Sequence, residues 1–181
     1  MRALFHGFWQ CRSYVDSVAT ELRANLRFKV PPLGENAVRL AQIEAGPQAV
    51  AVHIRRGDYL NIEGGGIVLG LDYYRTAMAH VASAVPQAHF FVFSDDPAWA
   101  QANLPAQYPS SFISGNDEAH AHEDLRLLAA CRHHIIANSS FSWWGAWLSL
   151  DPGKLVIMPK QWMGSMATPA ELTPPGWQIL R

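Results

Sequence analysis

Five short apolar runs constrain this chain more than anything else in it: AVAVHI (49–54), HFFVF (89–93), SFI (111–113), HHIIA (133–137) and KLVIM (154–158). None alternates apolar with polar residues, so none reads as a strand with one wet face, and each is expected to be covered on both sides. Helices are predicted between them, over about 71–84, 97–102, 120–131 and 141–149. Apolar strands alternating with helices specify an open α/β fold, a Rossmann-like parallel sheet flanked by helices. With 181 residues, 49% of them apolar and 16% charged, the chain suits one folded domain with a real core.

Two helices are expected ahead of the first strand. In residues 13–28, Tyr14, Val18, Leu22 and Leu26 recur at i, i+4 spacing, with Ser13 and Asp16 as a near capping box. A second helix, about 35–45, stops at Gly46-Pro47. A net charge of −1 argues against nonspecific binding to nucleic acid or to a membrane surface, because both need a basic excess. Any anion site must therefore be local. The N-terminal segment lacks the uninterrupted apolar core of a signal peptide, and residues 135–150 are too few and too polar to span a membrane. Cys11 and Cys131 are expected to be free thiols in a reducing compartment.

In open α/β sheets ligands sit beyond the carboxyl ends of the strands, and the polar clusters of this sequence fall there. The first strand runs into His53, Arg55 and Arg56, the second into Ser94, Asp95 and Asp96, and the fourth into Asn138, Ser139 and Ser140. Two permanently charged guanidinium forks suit a diphosphate, although pairing of one arginine with Asp58 is an equal alternative. Asn138 and the serines open a strand-to-helix turn whose free N–H groups can face an anion, with Ser139, Ser140 and Ser142 adding hydroxyls, or can simply cap a helix. An aspartate beside a phosphate would repel it, so Asp95 is expected to accept from a nucleobase edge or a ribose. Asp96 precedes Pro97 and reads as a helix N-cap. Trp143, Trp144 and Trp147 are expected to pack helix onto sheet, a ligand contact being the rarer alternative.

Other clusters carry less. Asp117, His120, His122, Cys131, His133 and His134 match no standard zinc spacing, and no metal is expected. GGG at 64–66 follows no strand and reads as a loop. Neither GxxxxGK nor GxSxG occurs, which weakens NTPase and serine hydrolase readings.

The motifs HIRRGDY, LDYYRTAM, FFVFSDD, CRHHIIANSSFSWWGAWL and KLVIMPKQW, with GFWQ near the start, resemble in order and spacing the alpha-1,2-fucosyltransferases of glycosyltransferase family 11. The resemblance implies the C-terminal, donor-binding domain of a GT-B architecture. It further implies metal-independent, inverting transfer of fucose from GDP-fucose to a galactoside hydroxyl, with no cofactor. Carried over by motif, Arg55 resembles the diphosphate-binding arginine and Arg56 its neighbour that fixes the site. His53 and one of Asp95 and Asp96 resemble guanine contacts, and Ser139, Ser140 and Ser142 phosphate donors. Asp58 and Glu63 are the nearby candidates for the base. Residues 1–46 are then a helical interdomain segment and 47–181 the GDP-sugar-binding domain. The family's N-terminal GGLGNQ-like domain has no counterpart in the sequence, so a GDP-sugar-binding fragment without turnover is the alternative. The expected partners are GDP-fucose and a galactose-terminated glycan, with no nucleic acid, self-association through apolar surface, and a cytoplasmic or membrane-peripheral location.

Overall fold

A computed structural model describes residues 10–46, 48–62, 68–104, 107–164 and 166–180. After helices α1 (Arg12–Asp16), α2 (Ala19–Asn25) and α3 (Gly34–Ala45), the chain runs through β1 (Ala49–Ile54), α4 (Leu71–Ala84), β2 (His89–Ser94), α5 (Pro97–Asn103) and β3 (Ser110–Ile113). It continues through α6 (Ala121–Ala130), β4 (His133–Ile135), α7 (Ser140–Leu148) and β5 (Val156–Met158). A small antiparallel pair, β6 (Gln161–Met163) and β7 (Met166–Ala167), precedes the edge strand β8 (Gln178–Ile179). The main sheet has the order β3-β2-β1-β4-β5-β8, and every pairing in it is parallel. All five expected strands form.

The all-apolar strands arise because both sheet faces are covered. Val50, Val52 and Ile54 of β1 join Tyr74, Ala77, Met78 and Val81 of α4 in one core. Ala49 and Ala51 face the other way, onto Ile43 of α3 and Leu127 and Leu128 of α6. Further along that second face, Trp143, Ala146 and Trp147 of α7 pack on Ile136, Val156 and Met158. Each fully buried Val, Ile, Leu or Met among them contributes about 1.5–3 kcal/mol, which fixes the helices on the sheet.

The N-terminal region differs from expectation. One helix over 13–28 becomes two, broken at Ser17 and Val18, where Val18 leaves helical geometry. The stripe that packs is Val15, Ala19 and Leu22, against the α7 core, while Tyr14, Val18 and Leu26 remain exposed. Both stripes have helical spacing, and contact with tryptophan surface selects the first. The expected capping box is absent; Asp16 instead pairs with Arg12 at 2.7 Å. Both cysteines are free, and burial pushes the Cys131 thiol pKa well up. No helix among the described residues is long and apolar enough to cross a membrane.

Candidate functional site

Strand order reverses between β1 and β4, the place where an open α/β sheet leaves a crevice at its carboxyl edge. Register aligns what lies there. Val52 pairs with Val92 on one side and Ile135 on the other, so three positions further along stand Arg55, Asp95 and Asn138. The sheet thereby brings together the three polar clusters read from the sequence.

The arginines are held by the aspartates of the neighbouring strand end. Arg55 places Nη1 3.2 Å from Asp95 Oδ2 and Nη2 2.9 Å from Asp58 Oδ1. The Arg56 backbone N–H donates to Asp95 Oδ1 at 2.8 Å, while its Nε lies 3.3 Å from Asp96 Oδ2 and its guanidinium sits 3.9 Å above the Trp99 ring. Asp96 also accepts from the Trp99 N–H at 3.1 Å, making it the N-cap of α5 as expected. Asp95, expected to face a ligand, has both oxygens engaged by the arginine pair. Gly57 allows this geometry, because a Cβ there would stand 2.9 Å from Asp95 Oδ2.

The opposite wall is the turn from β4 to α7. Asn138 is buried, and its amide donates to the Trp162 carbonyl at 3.1 Å. Ser139 is the N-cap of α7 without a side-chain cap bond, and the first turn of that helix holds no acidic residue. Its leading N–H groups therefore suit an anion. Ser140 is exposed. Ser142, expected to add a hydroxyl, is fully buried and donates inward to the Ala137 and Ser139 carbonyls at 3.4 and 3.2 Å. Tyr59 bridges the walls: its hydroxyl donates to the Asn138 carbonyl at 3.0 Å, and its ring lies 5.6 Å from the Arg55 guanidinium.

His53 ends β1 beside Phe141 of α7, their ring centroids 5.4 Å apart. Burial, and then the charge of Arg55, lower its pKa to about 3, so its imidazole is neutral. Its Nδ1 is buried with no hydrogen-bond partner among the described residues. Glu63 and the GGG loop lie outside the described residues. Among the described residues no three His, Cys, Asp or Glu side chains group as metal ligands. Gly57, Tyr59 and Trp99 were not singled out from the sequence; only adjacency to the arginine and aspartate motifs marked them.

Two guanidiniums against the carboxylates of Asp58, Asp95 and Asp96 give this cluster a formal charge of 2 − 3 = −1. That charge disfavours a bound polyanion unless a carboxylate gives way. Asp58 is the most exposed of the three: its side chain is 57% exposed, against 36% for Asp96 and 23% for Asp95. A pair that open to solvent is worth only about 0–1 kcal/mol.

The Glycosyl transferase family 11 model matches residues 1–180. The chain is 36% identical over 131 residues to the Escherichia coli O-antigen biosynthesis glycosyltransferase WbnK, covering 70% of this chain and 43% of that protein. It is 35% identical over 167 residues to an Escherichia coli alpha-1,2-colitosyltransferase, covering 87% and 55% respectively. Over 117 residues it is 33% identical to galactoside alpha-(1,2)-fucosyltransferase 1 of Saimiri sciureus, covering 62% of this chain and 32% of that one. The chain thus spans about half the length of the two bacterial relatives it matches.

Proposed function

The chain belongs to glycosyl transferase family 11, and from that premise we propose that it binds GDP-fucose at the β1–β4 crevice and transfers fucose, with inversion, to a galactoside hydroxyl. Relatives named for alpha-1,2-fucosyl and alpha-1,2-colitosyl transfer support a deoxyhexosyl donor, and one named for galactosides supports the acceptor. The observation that carries the reading is the alignment of Arg55 with the β4–α7 turn across the switch point.

In this mechanism the acceptor oxygen forms a bond to the anomeric carbon while the bond from that carbon to the β-phosphate oxygen breaks. Positive charge builds on the sugar ring and negative charge on the departing phosphate. Arg55, released from Asp58, meets that growing charge, together with the first-turn N–H groups of α7 and the Ser140 hydroxyl. Donors fixed in advance stabilise the transition state more than the ground state. Asp95 keeps Arg55 aimed, and Arg56, stacked on Trp99, holds Asp95. No divalent cation is needed in this scheme, because guanidinium and amide groups take the phosphate charge. Neutral His53 offers an unspent ring nitrogen to the guanine. The acceptor proton passes to a carboxylate, Asp58 or Glu63, late in the reaction.

The test is fucosyl transfer from GDP-fucose to lactose or N-acetyllactosamine. Transfer by the wild-type chain that falls at least about 100-fold in Arg55→Ala supports the reading, a loss typical of removing one preorganised donor at a developing oxyanion. Transfer unchanged in Arg55→Ala sinks the role given to that residue. GDP binding without any transfer would mark the chain as a GDP-sugar-binding unit.

A further inference from the structure

Beside the candidate site lies a cavity of about 330 Å³, within the range of pockets that hold small molecules. Its walls include Gln10 and Tyr14 from the start of the chain, Ser140, Trp143 and Trp144 from α7, and Trp162 from β6. We infer that this aromatic cavity receives the deoxyhexosyl group of the nucleotide sugar and gives the site its preference for that sugar over bare nucleotide. The inference rests on the proposed function, and it adds Gln10, Tyr14 and Trp162, which lie outside the phosphate-binding motifs.

Three observations carry it. First, Ser140 is shared: it opens α7, where the terminal phosphate is placed, and it also lines the cavity. A sugar ester-linked to that phosphate lies next to Ser140, and the cavity opens there. Second, the cavity is tied to the arginine turn through consecutive contacts. Tyr59, beside Arg55, donates to the Asn138 carbonyl; the Asn138 amide donates to the Trp162 carbonyl; and the Trp162 indole donates to Gln10 Oε1 at 2.8 Å. The walls of the cavity and the phosphate-binding turn are therefore held in one frame. Third, the lining chemistry suits a deoxyhexose. Such a sugar has a methyl group where other hexoses carry a hydroxymethyl group, and C–H groups along one face, which aromatic surface desolvates favourably. Trp143 already spends its indole N–H on the Leu172 carbonyl at 2.8 Å, as Trp162 does on Gln10, so these rings present apolar faces without orphaned donors. The amide nitrogen of Gln10 and the hydroxyls of Tyr14 and Ser140 are the polar groups for ring hydroxyls, beside Arg12, which also lines the cavity and pairs with Asp16.

Calorimetric titration of the full chain with GDP and, separately, with GDP-fucose tests this. Burying a methyl-sized apolar group is worth roughly 10-fold or more in affinity, so the wild-type chain should bind GDP-fucose at least about 10-fold tighter than GDP. Tyr14→Ala and Trp144→Leu should remove that difference while leaving GDP affinity unchanged. Tyr14 is 58% exposed, so its variant keeps the fold should Trp144→Leu fail to. Equal affinity for GDP and GDP-fucose in the wild-type chain, or a preference that survives in Tyr14→Ala, overturns the inference and leaves the diphosphate site standing. Absence of GDP binding would overturn the proposed function and this inference with it.

Discussion

Tyr59 donates its phenolic hydrogen to the backbone carbonyl of Asn138 over 3.0 Å, tying the turn after β1 to the turn before α7. Burial raises the phenol pKa, so the hydroxyl stays a donor through neutral pH. A half-buried bond of this kind is worth about 0.5–1.5 kcal/mol. Tyr59→Phe should therefore lower stability by that amount in chemical denaturation. It should also weaken GDP binding, because the Arg55 turn loses its anchor to the opposite wall.

Gly57 is expected to be intolerant of any side chain for a positional reason. A methyl group there would meet Asp95 Oδ2 at 2.9 Å. That carboxylate would swing away and release both the Arg55 guanidinium and the Arg56 N–H. Gly57→Ala should reduce GDP affinity by roughly 10-fold, the equivalent of one charged hydrogen bond. Its melting temperature should move little, because the clash is with a side-chain end and not with the core.

Gly145 makes the opposite prediction. Within a helix, alanine is favoured over glycine by about 1 kcal/mol. Here a Cβ would lie 2.1 Å from Leu128 Cδ2, and Leu128 is fully buried between α6 and α7. Overpacking costs about 1–3 kcal/mol, which outweighs the propensity gain. Gly145→Ala should lower the melting temperature without altering the ratio of GDP to GDP-fucose affinity.

Acid should destabilise the fold through two buried imidazoles. His53 and His134 are both driven to a pKa of about 3, chiefly by burial, from an ordinary value of 6.5. The unfolded chain takes up protons on these residues as pH falls below about 6.5, while the folded chain stays neutral down to about 3. The stability they confer is therefore complete above 6.5 and drains away across that window. Each contributes a slope of about 1.4 kcal/mol per pH unit. Urea denaturation between pH 7.5 and 5 should show the decline, and His134→Gln should roughly halve its slope.

The sheet was readable in the sequence because apolar runs bounded by turns allow few other folds, and because strand ends in such sheets converge by topology. Arg55, Asp95 and Asn138 belong on one rim for that reason. The edge strand Gln178–Ile179 and the β6–β7 pair were missed; they are only two or three residues each, and apart from Trp162 their residues are exposed. The helical stripe was misassigned near the N-terminus because two stripes of equal spacing overlap there, and only the tryptophans of α7 decide between them. Side-chain pairing was less legible than position. Nothing local indicates that Asp95 serves two arginines, that Ser142 turns inward, or that Tyr59 reaches a carbonyl 79 residues away.

The central claim is that the crevice between β1 and β4 grips a diphosphate through Arg55 and the first turn of α7. Calorimetric titration of GDP into the wild-type chain and into Arg55→Ala addresses it most directly. The account predicts saturable, one-to-one binding that weakens at least about 10-fold in the variant, the equivalent of one charge-assisted hydrogen bond. Absence of saturable binding, or equal affinity in the two proteins, would contradict it.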